Sequence, residues 1–216
     1  MKVLLVNGSP HKNGCTATAL GIVADELNKQ GVDTQIYGLG DVYKRQWVGT
    51  GAVHSCLGCH YCRKNGKCVY NDDIVNELGE LCKDADGYVF GAPVHYASPA
   101  GGMVAVLDRL FYSHGQYMKF KPAASVVSAR RAGTTASYDV LNKYIGITSM
   151  IQVPSTYWNM VHGYTPEDVM KDEEGVSVMR AIGSNMAWLV KLLSSVKGTD
   201  LEKPVIIKKA MTNFIR

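Results

Sequence analysis

Four cysteines stand within thirteen positions of the chain, in the pattern Cys56-x-x-Cys59-x-x-Cys62-x5-Cys68. Four thiolates on one compact loop can surround a single metal centre. The first three cysteines have the tight spacing that is typical of iron–sulfur sites, where four sulfurs converge from a short segment. We therefore predict that Cys56, Cys59, Cys62 and Cys68 hold a [4Fe–4S] cluster.

Tetrahedral zinc is the alternative for these thiolates, because four cysteines also satisfy that metal. Zinc sites more often consist of two well-separated Cys-x-x-Cys pairs, so the spacing favours the cluster, and free thiols are the third interpretation. The two remaining cysteines have other settings. Cys15 lies in a polar turn, and Cys82 lies on an apolar helical stripe, where it is predicted to be part of the core.

Residues 8–16, Gly-Ser-Pro-His-Lys-Asn-Gly-Cys-Thr, form a turn that could bind phosphate. They lie between an apolar run and a segment of helical periodicity, and the N-terminus of a helix presents unpaired N–H groups and the positive end of its dipole. The turn lacks the glycine patterns of dinucleotide sites and of nucleoside-triphosphate loops. The phosphate monoester of FMN fits, and an ordinary capped turn is the alternative. The candidate residues are Ser9, His11, Asn13, Gly14, Cys15 and Thr16.

Two further segments could face the ring of a flavin. At residues 93–96, backbone N–H groups could reach the polar edge of the ring while His95 or Tyr96 packs on it. Arg130, with Arg131, could steady the N1–O2 side of a reduced flavin or meet the phosphate of a nicotinamide nucleotide. The alternatives are a capped strand end and a solvated pair of cations. The candidate residues are Pro93, Val94, His95, Tyr96 and Arg130.

These residues need alternating strands and helices to position them. Apolar runs predict β strands at residues 3–6, 32–39, 87–91, 123–128 and 151–157, and apolar residues at helical spacing predict helices between and after them. Such alternation across short connections indicates right-handed βαβ units and a parallel sheet that is covered on both faces. A Rossmann half and a flavodoxin-like sheet both fit, and both bind ligands beyond the carboxyl ends of the strands.

Residues 40–54 interrupt this pattern. The segment Asp41-Val-Tyr-Lys-Arg-Gln46 is also what a common transposon-end sequencing adapter encodes when it is translated. We interpret the stretch either as an assembly artefact or as a surface loop, and independent resequencing would decide between the two. It is given no functional role.

Composition narrows the class of protein further. The chain has 216 residues and a formal net charge of +4, with its cations scattered, which disfavours nucleic-acid binding. No apolar run approaches the ~20 residues of a membrane span. Clustered cysteines and an N-terminus that enters a strand directly predict a cytoplasmic protein without a signal peptide. We expect one domain over residues 1–197 and a tail over residues 198–216.

These segments together resemble the NAD(P)H-dependent FMN reductase group of flavodoxin-like proteins, particularly its iron–sulfur flavoprotein branch. The resemblance is carried by residues 8–16, 56–68 and 91–98, together with Asp108-Arg109. It covers nearly all of the chain except residues 40–54. His11 and Cys15 are departures, because relatives often carry Arg and Asn or Ser at these positions, so phosphate binding would rest more on backbone N–H and hydroxyl groups.

The resemblance implies an α/β fold, a flavodoxin-like, three-layer, doubly wound, five-stranded parallel sheet with a cysteine-rich loop insertion. It also implies FMN at the turn of residues 8–16, at residues 93–96 and at residues 129–135. A homodimer or homotetramer is expected, with the cluster loop close to a neighbouring flavin. Asp108 and Arg109 are expected to form an orienting ion pair near the C-terminus of a helix.

The predicted function is an FMN-dependent oxidoreductase that moves electrons between NAD(P)H or a protein donor and an acceptor. The acceptor would be a quinone, a flavin or an iron–sulfur cluster, and the redox partner a small molecule or a protein. No catalytic acid or base is assigned, because the flavin carries the chemistry. The alternatives are a non-enzymatic flavin and iron–sulfur electron carrier and a zinc-stabilised flavodoxin-like module.

Overall fold

A mostly parallel β sheet organises the chain in a computed structural model that describes residues 1–39 and 53–212. The two interpretations of residues 41–46 lie outside the described residues. The strands are β1 (Lys2–Asn7), β2 (Asp33–Gly38), β3 (Gly87–His95), β4 (Ser98–Pro99), β5 (Pro122–Ala129), β6 (Ile151–Gln152) and β7 (Met160–His162). Their order is β2-β1-β3-β5, with β6 and β7 both beside the far edge of β5. This is the flavodoxin-like order, which confirms the predicted fold class.

The fifth position of the sheet differs from the prediction. A continuous strand was expected over residues 151–157, but β6 ends at Gln152 and pairing with β5 resumes only at Met160. Pro154 explains the break, because proline has no N–H to donate to a sheet ladder. Its carbonyl oxygen is instead bonded by the side-chain amide of Asn185 at 2.8 Å. Among the strands of the described residues, only β4 departs from parallel pairing, since it folds back along β3.

Helices cover both faces of the sheet, as α1 (Cys15–Lys29), α2 (Tyr61–Asn65), α3 (Val75–Asp84), α4 (Gly101–His114), α5 (Thr134–Ile147), α6 (Pro166–Lys171) and α7 (Glu173–Ser195). Strand β1 shows why two layers form. Val3 and Leu5 enter the core beneath α1 and α7, while Leu4 and Val6 enter the core beneath α3, α4 and α5. All four are fully buried, and each such side chain contributes about 1.5–3 kcal/mol.

Helix α6 begins at a capping residue in the C-terminal half of the chain. Thr165 caps α6, since its hydroxyl accepts from the N–H of Asp168 at 3.3 Å and the Asp168 carboxylate accepts from the N–H of Thr165. Helix α7 ends at Ser195, and residues 203–212 form neither helix nor strand. The division into a domain over 1–197 and a tail stays a prediction. In the part of the chain that the structure describes, no helix is long and apolar enough to cross a membrane.

Helices α3 and α4 lie in close contact where Gly79 meets His114. The His114 ring is fully buried, its Nδ1 lies 2.7 Å from the Ser113 hydroxyl, and burial lowers its pKa. A Cβ atom on Gly79 would overlap that ring. The lack of a side chain at Gly79 therefore allows the two helices to approach this closely.

Replacing Gly79 by Ala should destabilise the protein by about 1–3 kcal/mol, because the methyl group overpacks this contact. Gly21 on α1 is the matched control, since a Cβ there would meet nothing within 4 Å. Gly21→Ala should stabilise the protein by about 0.5–1 kcal/mol through helix propensity. Urea denaturation measures both, and effects of the same sign would contradict the proposed contact.

Candidate functional site

The turn between β1 and α1 lies at the carboxyl edge of the sheet and is tied to two neighbouring strands. The N–H of Gly8 donates to the carbonyl oxygen of Gly91 in β3 at 2.7 Å. A Cβ on Gly8 would lie 2.8 Å from that oxygen, so only glycine allows this approach. The hydroxyls of Thr16 and Ser128 lie 2.7 Å apart and join α1 to the end of β5. The turn is thus held from both sides.

Ser9 shapes the interior of this turn. Its N–H donates to Asn7 Oδ1, and its hydroxyl oxygen accepts from the N–H of His11, both at 3.1 Å. Ser9 is buried, whereas the side chains of His11 and Asn13 are exposed. The Ser9 hydroxyl can still donate its own proton to a ligand.

The N-terminus of α1 faces the same turn. Gly14 caps the helix without a side-chain bond, and Thr18 is the first residue whose N–H bonds back to it, at 3.0 Å. Within the described residues, the N–H groups of Thr16 and Ala17 make no hydrogen bond. These donors, together with the helix dipole, suit an anion.

The Cys15 thiol points across the sheet edge. Its Sγ donates to the carbonyl oxygen of Gly163 at 3.5 Å, just beyond β7. Burial raises the pKa of Cys15, and the nearby carboxylates of Asp168 and Glu167 raise it further. The thiol therefore stays protonated at neutral pH, so Cys15 would contribute to the turn as a weak donor or through its backbone.

The predicted ring-facing segment lies at the end of β3. Pro93 and Val94 are half-buried, while His95 and Tyr96 are exposed, and Tyr96 holds a left-handed φ of 60°. Gly133, with a φ of 90°, packs so closely that a Cβ there would lie 2.8 Å from Val94 Cγ1. The loop after β5 is therefore in direct contact with the turn of residues 93–96.

Arg130 directly follows β5 and is exposed. It lines an open cleft beside the turn of residues 8–16, which we call the phosphate-type turn. The other lining residues are His162, Gly163, Tyr164 and Asp168. The structure thus brings all three predicted flavin-facing segments to one edge of the sheet. Their roles in binding stay predictions.

All four cysteines of the run line a single pocket of about 50 Å³. Cys56 and Cys59 are exposed, whereas Cys62 and Cys68 are half-buried. Burial raises the pKa of Cys62, and the charges of the other three thiolates raise it further. Among residues 1–39 and 53–212, no group of three or more His, Cys, Asp or Glu is arranged to hold a metal ion. The lining of the pocket nevertheless includes four soft sulfur donors, which is the ligand type that an iron–sulfur cluster or zinc requires.

Three left-handed residues give the cysteine segment its turns. They are Gly58 at a φ of 63°, His60 at 56° and Gly66 at 67°. The two glycines adopt this conformation freely, whereas His60 stores strain of about 1–3 kcal/mol there. Whether the segment is an insertion relative to other members of the fold stays a prediction.

Arg109 forms the floor of the cysteine pocket and is 2% exposed. Its Nε–H donates to Cys68 Sγ at 3.1 Å, and both Nη groups donate to the Asp73 carboxylate, with Nη2–Oδ1 at 3.0 Å. Nη1 also donates to the carbonyl oxygen of His54 at 3.2 Å, and the guanidinium lies 5.0 Å from the Tyr70 ring centre. Burial by itself would lower the pKa of Arg109, but the bonds to Asp73 and Cys68 raise it instead.

The expected ion pair between Asp108 and Arg109 is wrong. Asp108 accepts a hydrogen bond from the Tyr144 hydroxyl, while Arg109 pairs with Asp73. Neighbouring residues on a helix point about 100° apart, so the two side chains face different surroundings. The available signal was the position of Arg109 three residues after Val106, on the face of α4 that enters the core.

Helix α4 contacts both candidate sites. Near its start, Met103 packs where a Cβ on Gly8 would lie, at 2.7 Å, and Arg109 further along reaches Cys68. Six residues of helix separate these two positions, or about 9 Å along the axis. The phosphate-type turn and the cysteine pocket therefore share one rigid support.

A mostly parallel sheet in this order, with a turn after its first strand whose free N–H groups suit an anion, defines a flavodoxin-like protein. The family model of NADPH-dependent FMN reductases matches residues 1–165, and the chain belongs to that family. An iron-sulfur flavoprotein of Methanocaldococcus jannaschii is 27% identical over 201 residues, which cover 89% of this chain and 99% of that protein.

Two solved structures share the fold. RosB with a bound 8-demethyl-8-formylriboflavin-5'-phosphate intermediate aligns with a TM-score of 0.70 at 14% identity, over 100% of this chain and 94% of RosB. A WrbA-like flavodoxin from Agrobacterium tumefaciens aligns with a TM-score of 0.60 at 12% identity, over 88% of this chain and 98% of that one. At such low identity the likeness establishes the architecture alone.

Asp73→Asn should lower the free energy of unfolding by about 3–5 kcal/mol, because it leaves the guanidinium of Arg109 buried without a countercharge. Asp72→Asn is the neighbouring control. The Asp72 carboxylate is exposed and pairs with His54 at 2.8 Å, so its loss should change stability far less. Guanidinium denaturation compares the two variants, and equal losses would refute the importance of the buried pair.

Proposed function

We propose that this chain is an FMN-dependent oxidoreductase whose FMN site and cluster site both adjoin one helix. The observation that carries the proposal is the arrangement of α4, which packs against the phosphate-type turn through Met103 and against the cysteine pocket through Arg109. Membership of the NADPH-dependent FMN reductase family supports the flavin, and the relatives named as iron-sulfur flavoproteins support the cluster.

The phosphate of FMN would bind where the free donors of the turn converge. The Ser9 hydroxyl and the N–H groups at the start of α1 would bind its oxygens, and the dipole of α1 would favour its charge. His11, Asn13, Gly14, Cys15 and Thr16 complete the proposed phosphate site. Backbone groups of residues 93–96 and the charge of Arg130 would orient the flavin ring. A bound flavin would supply hydride and single-electron chemistry.

The cysteine pocket would hold a [4Fe–4S] cluster through Cys56, Cys59, Cys62 and Cys68, and a cluster there supplies one-electron transfer. Zinc remains the competing occupant of the same four thiols. NAD(P)H or a protein is the proposed electron donor, and a homodimer or homotetramer the proposed assembly. Free thiols of this kind persist in a reducing compartment such as the cytoplasm.

A non-enzymatic electron carrier is the second candidate. The exposure of Cys56 and Cys59 favours it, because an occupant of the pocket would be open to a partner protein. Steady-state oxidation of NADPH or NADH by the purified protein separates the two candidates. The enzyme sustains turnover with a small acceptor such as a quinone, whereas a carrier requires a partner reductase.

Anaerobic purification tests the cofactors directly. The absorption spectrum should show flavin bands together with a broad shoulder that dithionite bleaches, and iron and sulfide should copurify with FMN. Chelator treatment should remove the iron while FMN remains bound, because the two sites use separate residues. Zinc without iron or sulfide would overturn the cluster and leave the flavin proposal standing.

Ser9→Ala should weaken FMN binding by about 1–2 kcal/mol, the size of one charge-assisted hydrogen bond, or about 5–30-fold in Kd. Quenching of flavin fluorescence measures the affinity. Ser177→Ala on α7 is the control, because Ser177 is exposed and its hydroxyl donates to the carbonyl oxygen of Glu174 within its own helix. An unchanged Kd for Ser9→Ala would place the phosphate elsewhere.

A further inference from the structure

We propose that Arg109 is a positioning residue for the cysteine pocket, where it anchors Cys68 as a ligand and raises the reduction potential of the cluster. The inference rests on the proposed function, since it assumes that the four cysteines hold an iron–sulfur cluster. Arg109 itself belongs to helix α4 and lies outside the cysteine segment.

The first step in the argument is the set of groups that Arg109 joins. It bonds to His54 before the first cysteine, to Cys68 at the last cysteine, and to Asp73 beyond it. One guanidinium thus forms hydrogen bonds with both ends of the segment that contains all four thiols. Because Arg109 and Asp73 side chains are 1% and 0% exposed, water does not compete for these bonds.

The second step is the direction of the bonds around the guanidinium. Both Nη groups face the carboxylate of Asp73, and the remaining Nε–H faces the sulfur of Cys68. The sulfur and the carboxylate therefore accept from different N–H groups of the guanidinium. Because its two Nη groups are held in this way, the planar guanidinium keeps its Nε–H directed at the sulfur.

The third step is electrostatic. Reduction adds one negative charge to a centre that four thiolates already make negative, and hydrogen bonds to the sulfurs are a recognised determinant of cluster potentials. A cationic donor at 3.1 Å from Cys68 Sγ stabilises the more negative state more strongly. Arg109 should therefore favour the reduced cluster and raise its potential.

The test uses the anaerobically purified holoprotein. Arg109→Met alone would leave Asp73 buried without a partner, so Arg109→Met is combined with Asp73→Asn, which removes both charges together. Arg180→Met on α7 is the matched control, since Arg180 is exposed and distant in sequence. A redox titration followed by EPR should give the double variant a roughly tenfold less favourable reduction equilibrium, which is about 59 mV lower for one electron. Arg109→Lys, which keeps the charge, should shift less.

A second measurement reports anchoring without the cluster. Limited proteolysis of the chelator-treated protein should cleave residues 53–73 faster in the double variant than in Arg180→Met. If the double variant loses its iron but retains FMN, that loss would also support anchoring. The effect of Arg109 on the reduction potential of the cluster would then be measured in Arg109→Lys.

The outcomes separate the two proposals. Full iron and sulfide, an unchanged potential and unchanged proteolysis in the double variant would overturn the role of Arg109 alone. A potential that falls equally in Arg180→Met would also overturn it. A wild-type protein that binds FMN but neither iron nor sulfide would overturn the cluster and this inference together.

Discussion

The guanidinium of Arg109 is buried beside the carboxylate of Asp73, and a charge in such surroundings must be neutralised where it lies. That requirement holds the segment that contains Asp73 against α4. Because the same guanidinium also bonds to His54 and Cys68, the cysteine pocket depends on one side chain from a neighbouring helix. Each cysteine supplies a sulfur, but the position of the pocket relative to the sheet follows from this ion pair.

The same helix connects the pocket to the carboxyl edge of the sheet. Close approaches there leave no room for side chains, as between Gly8 and Gly91, so the turn after β1 lies directly beside β3. Met103 fills the space next to that turn. A rigid helix between two candidate redox sites keeps their separation constant, which favours repeated electron transfer without rearrangement. Membership of the NADPH-dependent FMN reductase family supports the flavin proposed for one of these sites, and relatives named as iron-sulfur flavoproteins support the cluster proposed for the other.

Much of the fold could be predicted from local patterns. The apolar residues of β1 indicated a strand in a sheet that is covered on both faces, because that signal depends only on neighbours along the chain. The fifth strand was predicted too long, although Pro154 within it was a local signal for the break. The partner of Arg109 was missed for a different reason. Asp73 lies 36 positions away, on an element whose packing no local pattern reveals.

By itself, the sequence determined which chemistry is available, namely four closely spaced thiols, a hydroxyl-rich turn before a helix and an alternation of strands and helices. Spacing along the chain is enough for these conclusions, because thiol chemistry, helix dipoles and side-chain periodicity are local properties. Only the tertiary structure decided that Arg109 faces Cys68, that Gly133 packs on Val94 and that one helix serves both sites. Those contacts depend on how two cores close around one sheet, and the burial of many distant residues at once determines that outcome.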